Sequence, residues 1–176
     1  MGNHDLAQVT GNEITKEGRG ACEAFDRGLD NNFGSAAEEV RAAVKDFLRS
    51  LPLAARCPNG VILAHSLPSP NRMDLMDWSI LERDYRDEDL RRGGSAYELT
   101  WGRGHTPEQL DALAETLSAR QFIIGHQHIP TGHQIVPNRA MILASDHPHG
   151  AVAVFSAGEP VADDDLAGLV RPIVAL

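Results

Sequence analysis

Phe122-Ile123-Ile124-Gly125-His126-Gln127-His128 is an apolar run that stops at a glycine and then presents two histidines. Three consecutive β-prone apolar residues suit a short strand buried on both faces. The run therefore delivers His126 and His128 at a strand's C-terminal end. Working outward, Val61-Ile62-Leu63-Ala64 repeats the pattern after the turn residues Asn59-Gly60 and delivers His65. Between the two runs, Thr106-Pro107-Glu108-Gln109 marks a helix start, with Thr as N-cap, Pro at the first helical position and Gln two residues later. Leu110, Leu113, Ala114 and Leu117 give that helix its apolar face. Downstream, 134–136, 141–144 and 152–155 read as three more short strands. Helix and strand alternate and a strand meander follows, so the class is mixed α/β.

The flanks are read from the same signals. Ser35 to Leu51 is a helix with Val40, Val44, Phe47, Leu48 and Leu51 at helical spacing. Ser35 with Glu38 forms a candidate capping box, and Pro52 ends the pattern. The first 34 residues are polar and rich in Gly, Asn and Asp, and read as loop with one helical turn near Cys22 to Arg27. Met73 to Leu90 reads as one or two short helices with charged outer faces, and Asp163-Asp164-Asp165 as a turn or solvated face. No internal repeat or linker divides the 176 residues.

Composition narrows the function classes. The formal net charge is −9, and Lys16 and Lys45 are the only lysines. No Lys/Arg run supplies the basic face of a phosphate-tracking nucleic-acid binder, so nucleic acid is not an expected partner. An anionic substrate is compatible if a bound cation dominates the site locally. No apolar run reaches the ~18–20 residues of a membrane span. Met1-Gly2-Asn3-His4-Asp5 lacks the basic and apolar regions of a signal peptide. Cys22 and Cys57 stand far apart without a C-x-x-C. Reduced thiols and a cytoplasmic location are expected.

The histidines carry the chemistry. His126, His128, His133, His147 and His149, five of the eight, crowd into one stretch near strand ends. Ligands of α/β sheets bind beyond strand termini, and neutral imidazole suits Zn, Mn or Fe. Taken alone, G-H-Q-H fits a solvated pair as well as a metal site. His105, His133, His147 and His149 are read as rim or solvated residues. Asp5 is read as a turn-stabilising group or as one that orients a neighbour.

The order Gly2-Asn3-His4-Asp5, then His65 after a strand, then Gly125-His126-Gln127-His128, resembles the calcineurin-like metallophosphoesterase superfamily. Its signature ends with G-N-H-[D/E], then a lone His after a strand, then G-H-x-H. Leu51-Pro52-Leu53-Ala54-Ala55 leading to His65-Ser66-Leu67 is similar to the protein serine/threonine phosphatases of that superfamily. Leu99-Thr100-Trp101, Arg103-Gly104 and Leu143-Ala144-Ser145 look like the same branch. The resemblance runs from Gly2 to about Phe155.

The resemblance implies a metallophosphoesterase-type β-sandwich flanked by helices and a phosphatase activity in which two divalent ions (Mn, Fe or Zn) generate the attacking hydroxide. By match of position, Asn3, His65 and His126 would ligate one ion and His128 the other. His4 would be the general acid, and Arg103 would clamp the phosphate. The substrate would be a phosphorylated protein or a small phosphoester. The family's upstream D-x-H and G-D-x-x-D motifs, which supply the other ion's ligands and the bridging Asp, are not among these residues. Residues 1–176 are thus expected to be the C-terminal part of such a domain, to hold one ion and to be weakly active alone. A non-catalytic relative that binds one metal or a partner is the alternative.

Overall fold

The computed structural model describes residues 1–16, 18–137, 139–162 and 165–175. The Asp163-Asp164 part of the acidic run lies outside the described residues. The chain forms α1 (Asn3–Thr10), β1 (Thr15–Lys16), β2 (Arg19–Gly20), α2 (Ala21–Phe33), α3 (Ala37–Ser50), β3 (Ala54–Arg56) and β4 (Val61–Ala64). It continues through α4 (Asp87–Leu90), α5 (Ser95–Trp101), α6 (Pro107–Thr116), β5 (Gln121–Ile124), β6 (His133–Val136), β7 (Ala140–Leu143), β8 (Ala151–Ala153) and β9 (Val170–Pro172).

The apolar runs become the centre of a mixed five-stranded sheet of order β3-β4-β5-β7-β6. Strands β4, β5 and β7 are parallel, and β3 and β6 close the two edges antiparallel. The register sets Ile62 beside Phe122 and Ala140, and Ala64 beside Ile124 and Ile142. With a side-chain period of two, these residues share one face. They pack there on Leu110, Leu113, Ala114 and Leu117 of the segment starting at Thr106. Val61, Ile123 and Met141 point the other way, onto Val161, Leu166, Ala153 and Val170. Both faces are thus covered, which is why the runs are continuously apolar. Each fully buried side chain such as Phe122 or Leu113 contributes about 1.5–3 kcal/mol.

Among the described residues the second face is covered by the β8–β9 ribbon and a 3-10 turn at Leu166–Leu169, not by a second large sheet. Among the described residues the mixed α/β expectation is met, and the expected sandwich is not seen. A separate cluster joins Leu6 and Val9 of α1 to Leu53, Ile80, Leu90, Ala96 and Leu99. It fastens the N-terminal helix to α5 beside the sheet.

The N-terminal segment departs from its reading as loop, since both α1 and α2 are helical. Glu13 explains much of α2. Its carboxylate accepts from the backbone N–H groups of Cys22 and Glu23 at 2.9 Å, satisfying the first turn from outside the helix. The Ser35 capping box does not form: Ser35 lies in a 3-10 turn, and Ala36 precedes α3 without a side-chain cap. The apolar stripe of α3 is half-buried: Val40, Val44 and Leu48 are partly covered, with Leu48 against the Leu6–Val9 cluster, but Phe47 is not. Phe47 is 62% exposed, and Ala37 alone is buried in that helix. Met73 to Leu90 splits into 3-10 turns at Pro70–Leu75 and Trp78–Leu81 plus the single turn of α4. The Thr106 cap forms as read, its hydroxyl accepting from Gln109 N–H at 3.3 Å.

Candidate metal centre

The site forms where three local structures end. His65 follows the last residue of β4, and His126 follows β5 by one glycine. Parallel pairing of Ala64 with Ile124 brings both to the same edge. Gly125 N–H donates to the His65 carbonyl at 3.1 Å and locks the two exits together. Asn3 is the first residue of α1, whose N-terminus is closed by Asp5: the Asp5 carboxylate accepts from Gly2 N–H at 2.7 Å. Asp5 therefore has the helix-capping role. Gly2 has its own reason to be glycine. A Cβ there would lie 3.0 Å from Nδ1 of His65, so the imidazole seats directly on the backbone.

Three potential ligand atoms converge. His65 Nε2 lies 2.9 Å from Asn3 Oδ1 and 3.1 Å from His126 Nδ1. Donor atoms at right angles, each about 2.1 Å from one ion, stand about 3.0 Å apart. The cluster thus has the spacing of a ligand set, and Asn3 is only 6% exposed. The two rings meet edge to face at 5.0 Å, and Trp101 walls off His126 with its ring at 6.0 Å. Burial pushes both imidazoles down, each to about 4, and the nearby Arg103 guanidinium pushes the same way. The Asp5 carboxylate partly opposes this at His65. Both rings are neutral at pH 7, the form that ligates a metal.

His126 is held in a costly conformation. Its φ is 69°, and Gln127 N–H returns across it to the Gly125 carbonyl at 2.8 Å. A three-residue turn with its centre at positive φ is the rare, strained kind, worth about 1–3 kcal/mol.

Asn3, His4, His65, Arg103, His126 and His128 all line one cleft of about 500 Å³. His4, at the second position of α1, is exposed and borders it. Arg103 is also exposed, and its backbone N–H donates to Ser69 Oγ at 3.0 Å. The loop bearing it is fastened by Ser66, whose hydroxyl donates to the Gly102 carbonyl at 2.6 Å. His128 stands apart from the trio. Its ring is 5.1 Å from that of His147, and with Asp146 these residues set one ligand atom each within 4.8 Å of one another.

Asp146 and His147 were not expected as ligands from sequence. The available signal was topological: Ser145-Asp146-His147 follows an apolar strand, as His126 does. Because β7 lies parallel to β5, its exit reaches the same edge. His105, read as solvated, is instead largely buried, and burial lowers its pKa. His133 opens β6 and pairs with Leu143.

Among solved structures the chain is similar to a protein serine/threonine phosphatase from Saccharomyces cerevisiae with similarity to human phosphatase PP5. The TM-score is 0.55 at 17% identity, over 79% of this chain and 52% of the yeast chain. This chain spans about half the length of that phosphatase. No family model and no curated protein matches the sequence. At that identity the likeness is one of fold: the chain has a mixed α/β, serine/threonine phosphatase-like fold.

Proposed function

We propose that this chain is part of a metal-dependent phosphoester hydrolase, acting on a phosphorylated protein or a small phosphoester. The observation that carries the reading is the convergence of Asn3 Oδ1, His65 Nε2 and His126 Nδ1 at one edge of a phosphatase-like sheet. The donor set, two neutral imidazoles and an amide oxygen, suits Mn, Fe or Zn. When bound, divalent ions at such a site neutralise phosphoryl charge and lower the pKa of water.

The chain's own residues do the rest. Arg103, at the cleft wall, offers a planar guanidinium fork to the non-bridging phosphate oxygens. His4 holds a proton and gives it to the leaving oxygen, and its exposure lets it regain that proton from solvent. Trp101 and the buried Asn3 keep water from one side of the trio. In this reading residues 1–176 are the C-terminal part of the catalytic domain, a β-sandwich of which the five-stranded sheet is one layer. On the same reading, D-x-H and G-D-x-x-D motifs supplied upstream would complete a two-ion centre.

The test is hydrolysis of an aryl phosphate with added Mn²⁺ by a chain that also carries those two motifs. Turnover that falls about 10²–10⁴-fold in His4→Ala supports the assignment. Turnover unchanged in both His4→Ala and His126→Ala overturns it.

A second reading rests on one observation. Among the described residues no carboxylate joins His65 and His126 in a three-residue ligand group. That favours a module that holds a single ion without turnover. One ion per chain and no hydrolysis in the motif-bearing protein would select it.

A further inference from the structure

We infer that His128, Asp146 and His147 form a separate site for a transition-metal ion of the Zn²⁺ class, at the exit of β5 and β7. The three offer two imidazole nitrogens and one carboxylate oxygen, all within 4.8 Å of one another. Donors on opposite sides of a Zn²⁺ ion stand at most about 4.2 Å apart. Rotations of His128 and Asp146, both at the surface, would close that gap.

The hydrogen bonds around His147 are those of a prepared ligand. Its Nε2 lies 2.9 Å from the Ile129 carbonyl oxygen, which accepts only, so Nε2 carries the proton. His149 N–H donates to Nδ1 at 3.2 Å, which again makes Nδ1 the lone-pair nitrogen. An imidazole whose N–H is anchored on a backbone carbonyl, leaving its other nitrogen as the lone-pair atom, matches the outer-shell arrangement of metal-bound histidines. An ion at Nδ1 would displace the long bond from His149.

The backbone holding the ligands is tied down. The Ile129 carbonyl also accepts from Gly132 N–H at 2.8 Å. Gly132 itself has φ 82°, and a Cβ there would strike the His149 carbonyl. Ala144 N–H donates to Gly132 at 2.9 Å, and Gly150 N–H to His147 at 2.8 Å. The Ala144–Gly132 bond pins the two loops to each other, and the Gly150–His147 bond closes the second loop on itself.

Imidazole with carboxylate selects Zn²⁺, Co²⁺ or Ni²⁺ over the oxygen-preferring Ca²⁺ and Mg²⁺. His128 and Asp146 also line the cleft of the Asn3–His65–His126 trio. A cation there would place positive charge at the mouth of that cleft in a chain of net charge −9. This assignment does not depend on phosphatase activity.

The test is Co²⁺ titration of chelator-treated protein, read by visible d–d absorption, in a His65→Ala/His126→Ala background. One equivalent of Co²⁺ is expected, with affinity at least tenfold weaker in Asp146→Asn and in His147→Gln, which keeps a side-chain donor for Ile129. In the otherwise native protein, the exposed change His128→Ala should remove one class of sites and leave circular dichroism unchanged. Absence of Co²⁺ binding in a folded background variant overturns the site, as does binding that Asp146→Asn and His128→Ala leave unaltered. If the background variant does not fold, an unchanged Co²⁺ stoichiometry in His128→Ala overturns it equally. Absence of hydrolysis in the motif-bearing chain would count against the phosphatase reading and leave these Co²⁺ outcomes as they stand.

Discussion

His126 and His65 are placed at a cost in both conformation and charge. Positive φ at His126 and burial of both rings oppose stability, and the Asn3 amide and each other's nitrogens are what they gain. The charge cost has a pH signature. The native pKa values are about 4, against an ordinary 6.5. Between those values the unfolded chain binds protons that the native rings refuse, so stability rises with pH there. Stability should therefore be fully present above about pH 6.5, erode as pH falls toward about 4, and gain nothing further from these groups below that. Denaturant midpoints across pH 4–7 check this, with His65→Asn/His126→Asn flattening the slope. The seat of His65 gives a second expectation. Gly2→Ala puts a methyl against the imidazole and should weaken metal affinity about 10–100-fold, as outer-shell changes do. Isothermal titration with Mn²⁺ measures it.

At the scale of elements, the readable parts were those whose stability is local or whose burial is complete. The runs 61–64 and 122–124 lie in β4 and β5 because strands covered on both faces must be apolar throughout. The helix after Thr106 carries its own cap and stripe. Helices α1 and α2 were not readable for the opposite reason. Asn3–Thr10 has only Leu6 and Val9 as large apolar anchors, and α2 contains Gly28, Asn31 and Asn32. Their support comes from elsewhere: Glu13 closes the start of α2, and Arg41 of α3 pairs with Asp26 and Asp30. These partners are charged side chains, which apolar periodicity does not reveal. The exit of α5 shows how packing outranks local preference. A Cβ at Gly102 would overlap the Leu67 carbonyl oxygen, so the segments bearing His65 and Arg103 touch backbone to backbone. Gly102→Ala should cost about 2–4 kcal/mol in urea unfolding, as overpacking does. Thr106→Ala, which removes one cap bond, should cost about 1 kcal/mol.

For the whole molecule, three parallel strands, β4, β5 and β7, empty their ends toward one edge. Helix α1 brings Asn3 and His4 to that edge, and the segment after α5 brings Arg103. The family resemblance had grouped Asn3, His65 and His126, and the ends of α1, β4 and β5 bring the three to one edge. It had not grouped His128 with Asp146 and His147, since that contact depends on β7 lying next to β5, with β6 displaced to the outside. The fold thus arranges two ligand groups around one cleft. The first group carries the functional account. Equilibrium dialysis of Mn²⁺ against native protein and Asn3→Ala, His65→Ala and His126→Ala tests it most directly. The account expects one Mn²⁺ lost from each variant, with affinity falling by more than the roughly 10–100-fold that outer-shell changes cause. Mn²⁺ bound equally by the native protein and all three folded variants would contradict it.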